Sequence, residues 1–360
     1  MKACSYCGRQ NEPEAVNCGE CGTELPALPA AEPSPDEPVA AAEPPDPILA
    51  DLDMGFEVCE GFSRPDWKKT GDFIRQQVLR DDVGAAWNYV AGKWLEELKS
   101  DWGGDCRRYS TAHFFGLSDI EPATMRKLLD YAESTLQNIA SFLGSAAWSG
   151  YHGKHVLLIF GDPDDYFTYI SYYYGDGSHM LSAGIFIRRG YTHVALPYGD
   201  TLGAQHVLAH ELAHNLLCHL PIPLWLNEGL AVTIENQMTR HGFVMDRELA
   251  ERHRNHWSEA NIQTFWSGRS FDEPGEVSEL SYNLGLILVT LLAEKGPPFA
   301  EFVKAADWRD AGQDAALNFL GVGLEEVLAG FLGPGDWRPQ RKKIKELLEE
   351  RKQKSSPSES

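Results

Sequence analysis

HVLAHELAHNLLCHLPIPLWLNEGLA, residues 206–231, is the stretch on which the reading of this chain turns. Pro221 and Pro223 interrupt it, since proline lacks an amide proton and clashes with the preceding helical turn. The residues before them predict a helix capped near Asp200 or Thr201 and stopped by Pro221. On that helix His210 and His214 are four apart and project from one face, as two imidazoles must to grip one metal ion. Glu211 lies about 100 degrees around from His210, near enough to reach a water on such an ion without ligating it. Two histidines do not complete a site. His219 points away from His210, and Leu217 and Leu220 stand where a longer histidine motif needs Gly and His. The segment LNEGLAVTIEN begins a second helix that can return antiparallel to the first and carry Glu228 to the same ion.

Working outward, the chain has 360 residues and a formal net charge of −21. Such a surface repels nucleic acid and anionic membrane, so neither is expected as a partner. The longest apolar run, Leu284 to Ala293, is too short to span a bilayer, and no leader pattern opens the chain. A cytoplasmic protein is expected. Cysteine usage agrees: the seven cysteines are an odd number with no secretion signal, which suggests reduced thiols.

Four of those thiols stand as two C-x-x-C pairs in CSYCGRQNEPEAVNCGECG. Cys4, Cys7, Cys18 and Cys21 have the spacing for four thiolates around one tetrahedral Zn²⁺, with glycines after Cys7 and Cys21 to allow tight turns. The segment resembles the short zinc ribbons found at the ends of many microbial proteins. That resemblance implies a closed, structural site that recruits a protein partner. Residues 26–54 are rich in Pro, Ala and acids and read as a flexible linker. A main domain is expected over 55–335, then a charged helix and disordered tail over 336–360. Within the domain, Leu128, Leu129, Ala132, Leu136, Ile139 and Leu143 have helical spacing, HVLLIF (155–160) reads as a buried strand, and Gly184 to Leu196 reads as a hairpin turning near Arg189-Gly190. Helical patterns around a short β-rich middle predict an α+β fold.

The stretch 206–235 resembles the gluzincin metallopeptidases, in which H-E-x-x-H is followed by a segment like P-x-W-L-N-E-G-L-A. Here the matching residues are His210, Glu211 and His214, then Pro223 and Trp225 to Ala231. The resemblance covers residues from about 105 to 300 and is sharp only over 206–235. It implies a zincin-like domain in which His210, His214 and Glu228 ligate a catalytic Zn²⁺ and Glu211 is the general base and proton shuttle. It also implies a tyrosine opening a later apolar helix; Tyr282 in ELSYNLGLILVTLLAEKG stands there, its phenol suited to an oxyanion. An extended substrate would lie along an exposed edge strand before the metal helix, for which THVALP (192–197) is the counterpart.

Other residues have quieter readings. His206 is a helix histidine that can line the cleft, Cys218 a small buried apolar group, and Glu235 an acceptor for a ligand histidine N–H. His253 and His256 fall on a polar helix face, and the aromatic run FTYISYYYG (167–175) serves packing. The expected function is zinc-dependent hydrolysis of peptide or protein substrates. The alternatives are a non-catalytic scaffold using the zinc ribbon, against which an intact Glu211 argues, and metal-dependent hydrolysis of another acyl group.

Overall fold

HVLLIF forms the middle strand of a five-stranded sheet, and it has no polar alternation because both of its faces are covered. Val156, Leu158 and Phe160 point into one core, and Leu157 and Ile159 into another. The structure is a computed structural model that describes residues 2–3, 10–11, 47–147, 153–174, 182–239 and 244–355. The chain divides into two units, Met1–Ala40 and Ala41–Ser360. In the first, Lys2–Ala3 pairs antiparallel with Gln10–Asn11. Cys4, Cys7, Cys18 and Cys21, and most of the expected linker, lie outside the described residues.

The second unit is α+β. Its sheet contains β1 (Arg107–Ser110), β2 (Phe114–Ser118), β3 (His155–Phe160), β4 (Ile185–Ile187) and β5 (His193–Pro197), in the order β1-β2-β3-β5-β4. The pairs β2–β3 and β3–β5 are parallel, and the two outer pairs are antiparallel. On one face lies α1 (Val83–Trp102), which buries Val90, Trp94, Leu95 and Leu98. The other face carries α2 (Pro122–Leu143), α3 (Thr201–Leu217), α4 (Leu224–Thr239) and α5 (Glu276–Ala293). The two amphipathic-pattern elements expected here, α2 and the hairpin of β4 and β5, both form. Gly190 adopts φ +75° in the hairpin turn, a conformation natural only to glycine. Asp200 caps α3, its carboxylate accepting from the Gly203 N–H at 2.9 Å.

Three expectations change. The segment THVALP is not the edge: β5 lies between β3 and β4, and among the described residues no strand pairs with the outer side of β4. The burial of His193 to Leu196 on both faces explains this, while the shorter IFI ends in arginines that suit a solvated edge. The folded unit also begins before residue 55, because Leu49 and Met54 are buried in the core on the α1 side. At the other end the domain does not stop at 335. Trp337 and Ile344 are buried, the Trp266 indole donates to the Trp337 carbonyl at 2.9 Å, and α6 (Arg341–Ser355) is docked through Ile344. The charges of α6 are therefore one face of a packed helix. Among the described residues, α5 is the single helix with the length and apolarity to cross a membrane, and half of its residues are buried inside the protein.

Candidate metal centre

The loop 218–223 turns the chain so that α4 packs back along α3. His210 Nε2 and His214 Nε2 each lie 3.5 Å from Glu228 Oε2. One ligand atom from each of the three residues falls within 4.8 Å of the other two. A tetrahedral zinc with bonds of about 2.0–2.1 Å separates its ligands by about 3.4 Å, so the two measured edges fit such an ion. Two imidazoles and a carboxylate are also donors that suit such an ion, and all three line the same cleft. Among the described residues this is the only group of three such side chains close enough to hold an ion.

The other ring nitrogen of His210 fixes its orientation. Its Nδ1 lies 3.3 Å from Glu235 Oε2, and His206 Nδ1 lies 3.0 Å from the second oxygen of the same carboxylate. Glu235 therefore bridges two histidines and turns His210 Nε2 toward Glu228. His206 belongs to this chain of contacts instead of standing alone on the helix. His214 Nδ1 is buried with no partner among the described residues.

Burial opposes charge on His210, but hydrogen bonds to Glu228 and Glu235 outweigh it and push its pKa up to about 10. His214 is raised too: burial works against it, and the Glu228 charge wins. Glu228 resists burial through His214 and His210 and stays well below the usual carboxylate range. Glu211 goes the other way. Burial pushes its carboxyl up, against the pull of His214 and His210. Two carboxylates in one cleft thus differ in proton affinity, Glu228 held low and Glu211 raised.

Glu211 Oε2 accepts the Phe186 N–H at 2.7 Å. That bond ties α3 to β4, the outermost strand, through one oxygen of the carboxylate. The cleft has a volume of about 370 Å³ and is also lined by Asn227, Cys218 and Tyr282. Cys218, expected to be buried, is half exposed at this wall.

Two close approaches at glycines hold the walls together. A Cβ on Gly229 would sit 2.5 Å from the Gly285 carbonyl oxygen, so α4 and α5 cross at a distance only glycine permits. Glu228 is the neighbour of Gly229, and Tyr282 lies a turn before Gly285; the crossing brings both to the cleft. Likewise, a Cβ on Gly184 would lie 2.3 Å from Val207 Cγ1, which sets how closely β4 approaches α3. The glycine in N-E-G-L-A thus has a packing reason.

Every candidate of the main domain, His210, Glu211, His214, Glu228 and Tyr282, therefore lines one cleft. His253 does not stay on a polar face: it is fully buried, and the Trp257 indole donates to its Nδ1 at 3.2 Å. The aromatic run packs as expected, with the rings of Tyr169, Tyr172 and Tyr173 surrounding the Arg64 guanidinium at 4.1–4.7 Å. Sequence reading missed the Phe186 amide, because a backbone donor has no residue signature. No protein-family model matches the chain, and no curated protein matches it either.

Proposed function

We propose that the chain is a zinc-dependent peptidase of gluzincin type, with a zincin-like catalytic domain and an amino-terminal zinc ribbon that engages a protein partner. The observation that carries this reading is the meeting of His210 Nε2, His214 Nε2 and Glu228 Oε2 in a cleft shared with the Glu211 carboxylate. Zinc, when bound, supplies the Lewis acidity that polarises a carbonyl and acidifies a water. His210, His214 and Glu228 hold the ion, and Glu235 keeps His210 turned toward it. Glu211 Oε1 takes the proton of the attacking water and later delivers it to the departing amine. Its raised proton affinity suits a group that must both accept and release a proton. The Tyr282 phenol donates to the developing oxyanion. The outer edge of β4, where Glu211 already takes the Phe186 N–H, receives the backbone of an extended peptide through its remaining groups, a mode largely indifferent to side chains. In the ribbon, Cys4, Cys7, Cys18 and Cys21 hold a second, structural zinc.

The test compares wild type, Glu211→Gln and His210→Ala for zinc content and for digestion of a peptide library read by mass spectrometry. Two zinc ions and cleavage are expected for wild type, two ions without cleavage for Glu211→Gln, and one ion for His210→Ala. Unchanged turnover in Glu211→Gln excludes it as base. Zinc binding with no cleavage by wild type would favour the scaffold reading, in which the ribbon carries the function.

A further inference from the structure

Strand β4 alternates between the two cores. Ile185 and Ile187 are buried on the α1 side, whereas Phe186 packs on the side of the metal helix. Arg188 comes next with the same parity as Phe186, and it lines the cleft that holds His210, Glu211 and Glu228. It is exposed and makes no hydrogen bond or ion pair among the described residues. The chain has 53 acidic and 32 basic residues, so its arginines meet carboxylates readily. Arg252 pairs with Glu276 and Glu279, Arg269 with Glu350, and Arg341 with Asp310. Among the described residues Arg188, like Arg80, Arg107 and Arg254, has no such partner, but of these it is the one that lines the cleft. Apart from the two imidazoles it is the only cationic side chain on this wall among the described residues.

The direction of β4 says which part of a substrate it meets. The Phe186 N–H points off the open edge, since it reaches Glu211 and not β5. A peptide adding antiparallel along that edge runs opposite to β4. It therefore sends its amino-terminal side toward Arg188 and its carboxy-terminal side toward Gly184. Cross-strand partners share a face, so Arg188 faces a substrate side chain about two to three residues before the bond held at Glu211. A terminal carboxylate would lie on the opposite side of that bond, beyond its reach.

We infer that Arg188 is a specificity determinant that selects substrates with an anionic side chain shortly before the cleaved bond. This rests on the peptidase reading and adds the substrate class. The chemistry is shared by the carboxylates of Asp and Glu and by a phosphoryl group, both of which a guanidinium can grip through two N–H donors. An exposed pair of this kind is worth up to about 1 kcal/mol, or on the order of fivefold in kcat/KM.

The experiment uses the full-length zinc-loaded protein and matched peptide pools that differ only in Glu against Gln, or phosphoserine against serine, at the varied positions. Wild type is expected to cleave an anionic pool on the order of fivefold faster than its neutral match, with the anionic residue enriched on the amino side of each cut. Preference for the Glu pool identifies a carboxylate, and preference confined to phosphoserine identifies a phosphoryl group. Arg188→Gln should level the pools, and Arg188→Glu should favour lysine at the same positions. Cleavage without preference, or a preference that survives Arg188→Glu, would overturn the assignment alone. No cleavage of any pool would overturn the peptidase reading, and the assignment with it.

Discussion

Gly229→Ala probes how the site is held in shape. The added Cβ would meet the Gly285 carbonyl oxygen at 2.5 Å, the Gly285 carbonyl carbon at 2.7 Å and Val289 Cγ2 at 2.9 Å, against ordinary contact from 3.4 Å. The first two are backbone atoms and cannot rotate aside, so α4 and α5 must separate by about 0.9 Å. Overpacking of this kind costs about 1–3 kcal/mol, offset by up to about 1 kcal/mol from the better helix propensity of alanine. A net loss of up to about 2 kcal/mol is expected from urea unfolding in the presence of chelator. The displacement acts on the neighbour, Glu228, where a zinc ligand tolerates only about ±0.2 Å. Zinc affinity by chelator competition should fall at least about tenfold. Gly330→Ala is the control: it is exposed in a helix with nothing within 4 Å of its Cβ, and should stabilise by about 0.5–1 kcal/mol without touching zinc binding. If Gly229→Ala behaves like Gly330→Ala in both assays, the crossing does not set the site.

Glu235→Gln keeps the shape but removes the charge shared by His210 and His206; zinc affinity is expected to fall about 10- to 100-fold with little change in unfolding midpoint, and an unchanged affinity would show that Glu235 does not hold His210. The metal-free site should also be pH-sensitive in a defined sense. His210, raised to about 10, contributes stability that is full below about pH 6.5 and lost as pH rises through about 10; Glu228, held low, contributes stability above about pH 4.3 that is lost on acidification. Unfolding of chelated protein should therefore show both flanks weakened in wild type and flattened in His210→Ala. Zinc uptake near pH 7.5 must displace the His210 proton, so titration in weak buffer should release at least one proton per ion, and release of none would contradict the raised pKa.

The grouping of the main domain's candidate residues in one cleft is legible in the sequence because its grammar is local. Two imidazoles four apart share a helix face whatever surrounds them, and Pro221 and Pro223 end that helix wherever it is packed. Glu228 was legible once an antiparallel return was assumed. What escaped depends on tertiary pairing. Whether IFI or THVALP is the edge cannot be read from two short apolar runs, because it depends on which of them β3 captures. The domain ends escaped for a similar reason: Leu49 lies in a proline-rich context and Ile344 in a charged one, and each is a single buried anchor that composition averages away. His253 has polar neighbours in RHRNHW, yet its direction on the helix faces Phe331 at 5.3 Å between ring centres.

The charge pattern of the centre follows from the same scaffold. Without an ion, His210 and His214 are both drawn toward the protonated form by Glu228, Glu235 and their neighbours. A divalent cation there would face the same carboxylates that draw these imidazoles toward protonation, so the attraction it meets is already built into the site. The spacing of the elements around them is set by the backbone crossing at Gly229 and Gly285 and by the Val207 side chain against Gly184. A site built this way is organised before the ion arrives, so zinc binding should draw little on refolding of α3 or α4. The four thiolates expected around Cys4 to Cys21 differ in kind, since so short a segment has little core of its own and metal binding there would supply folding free energy outright.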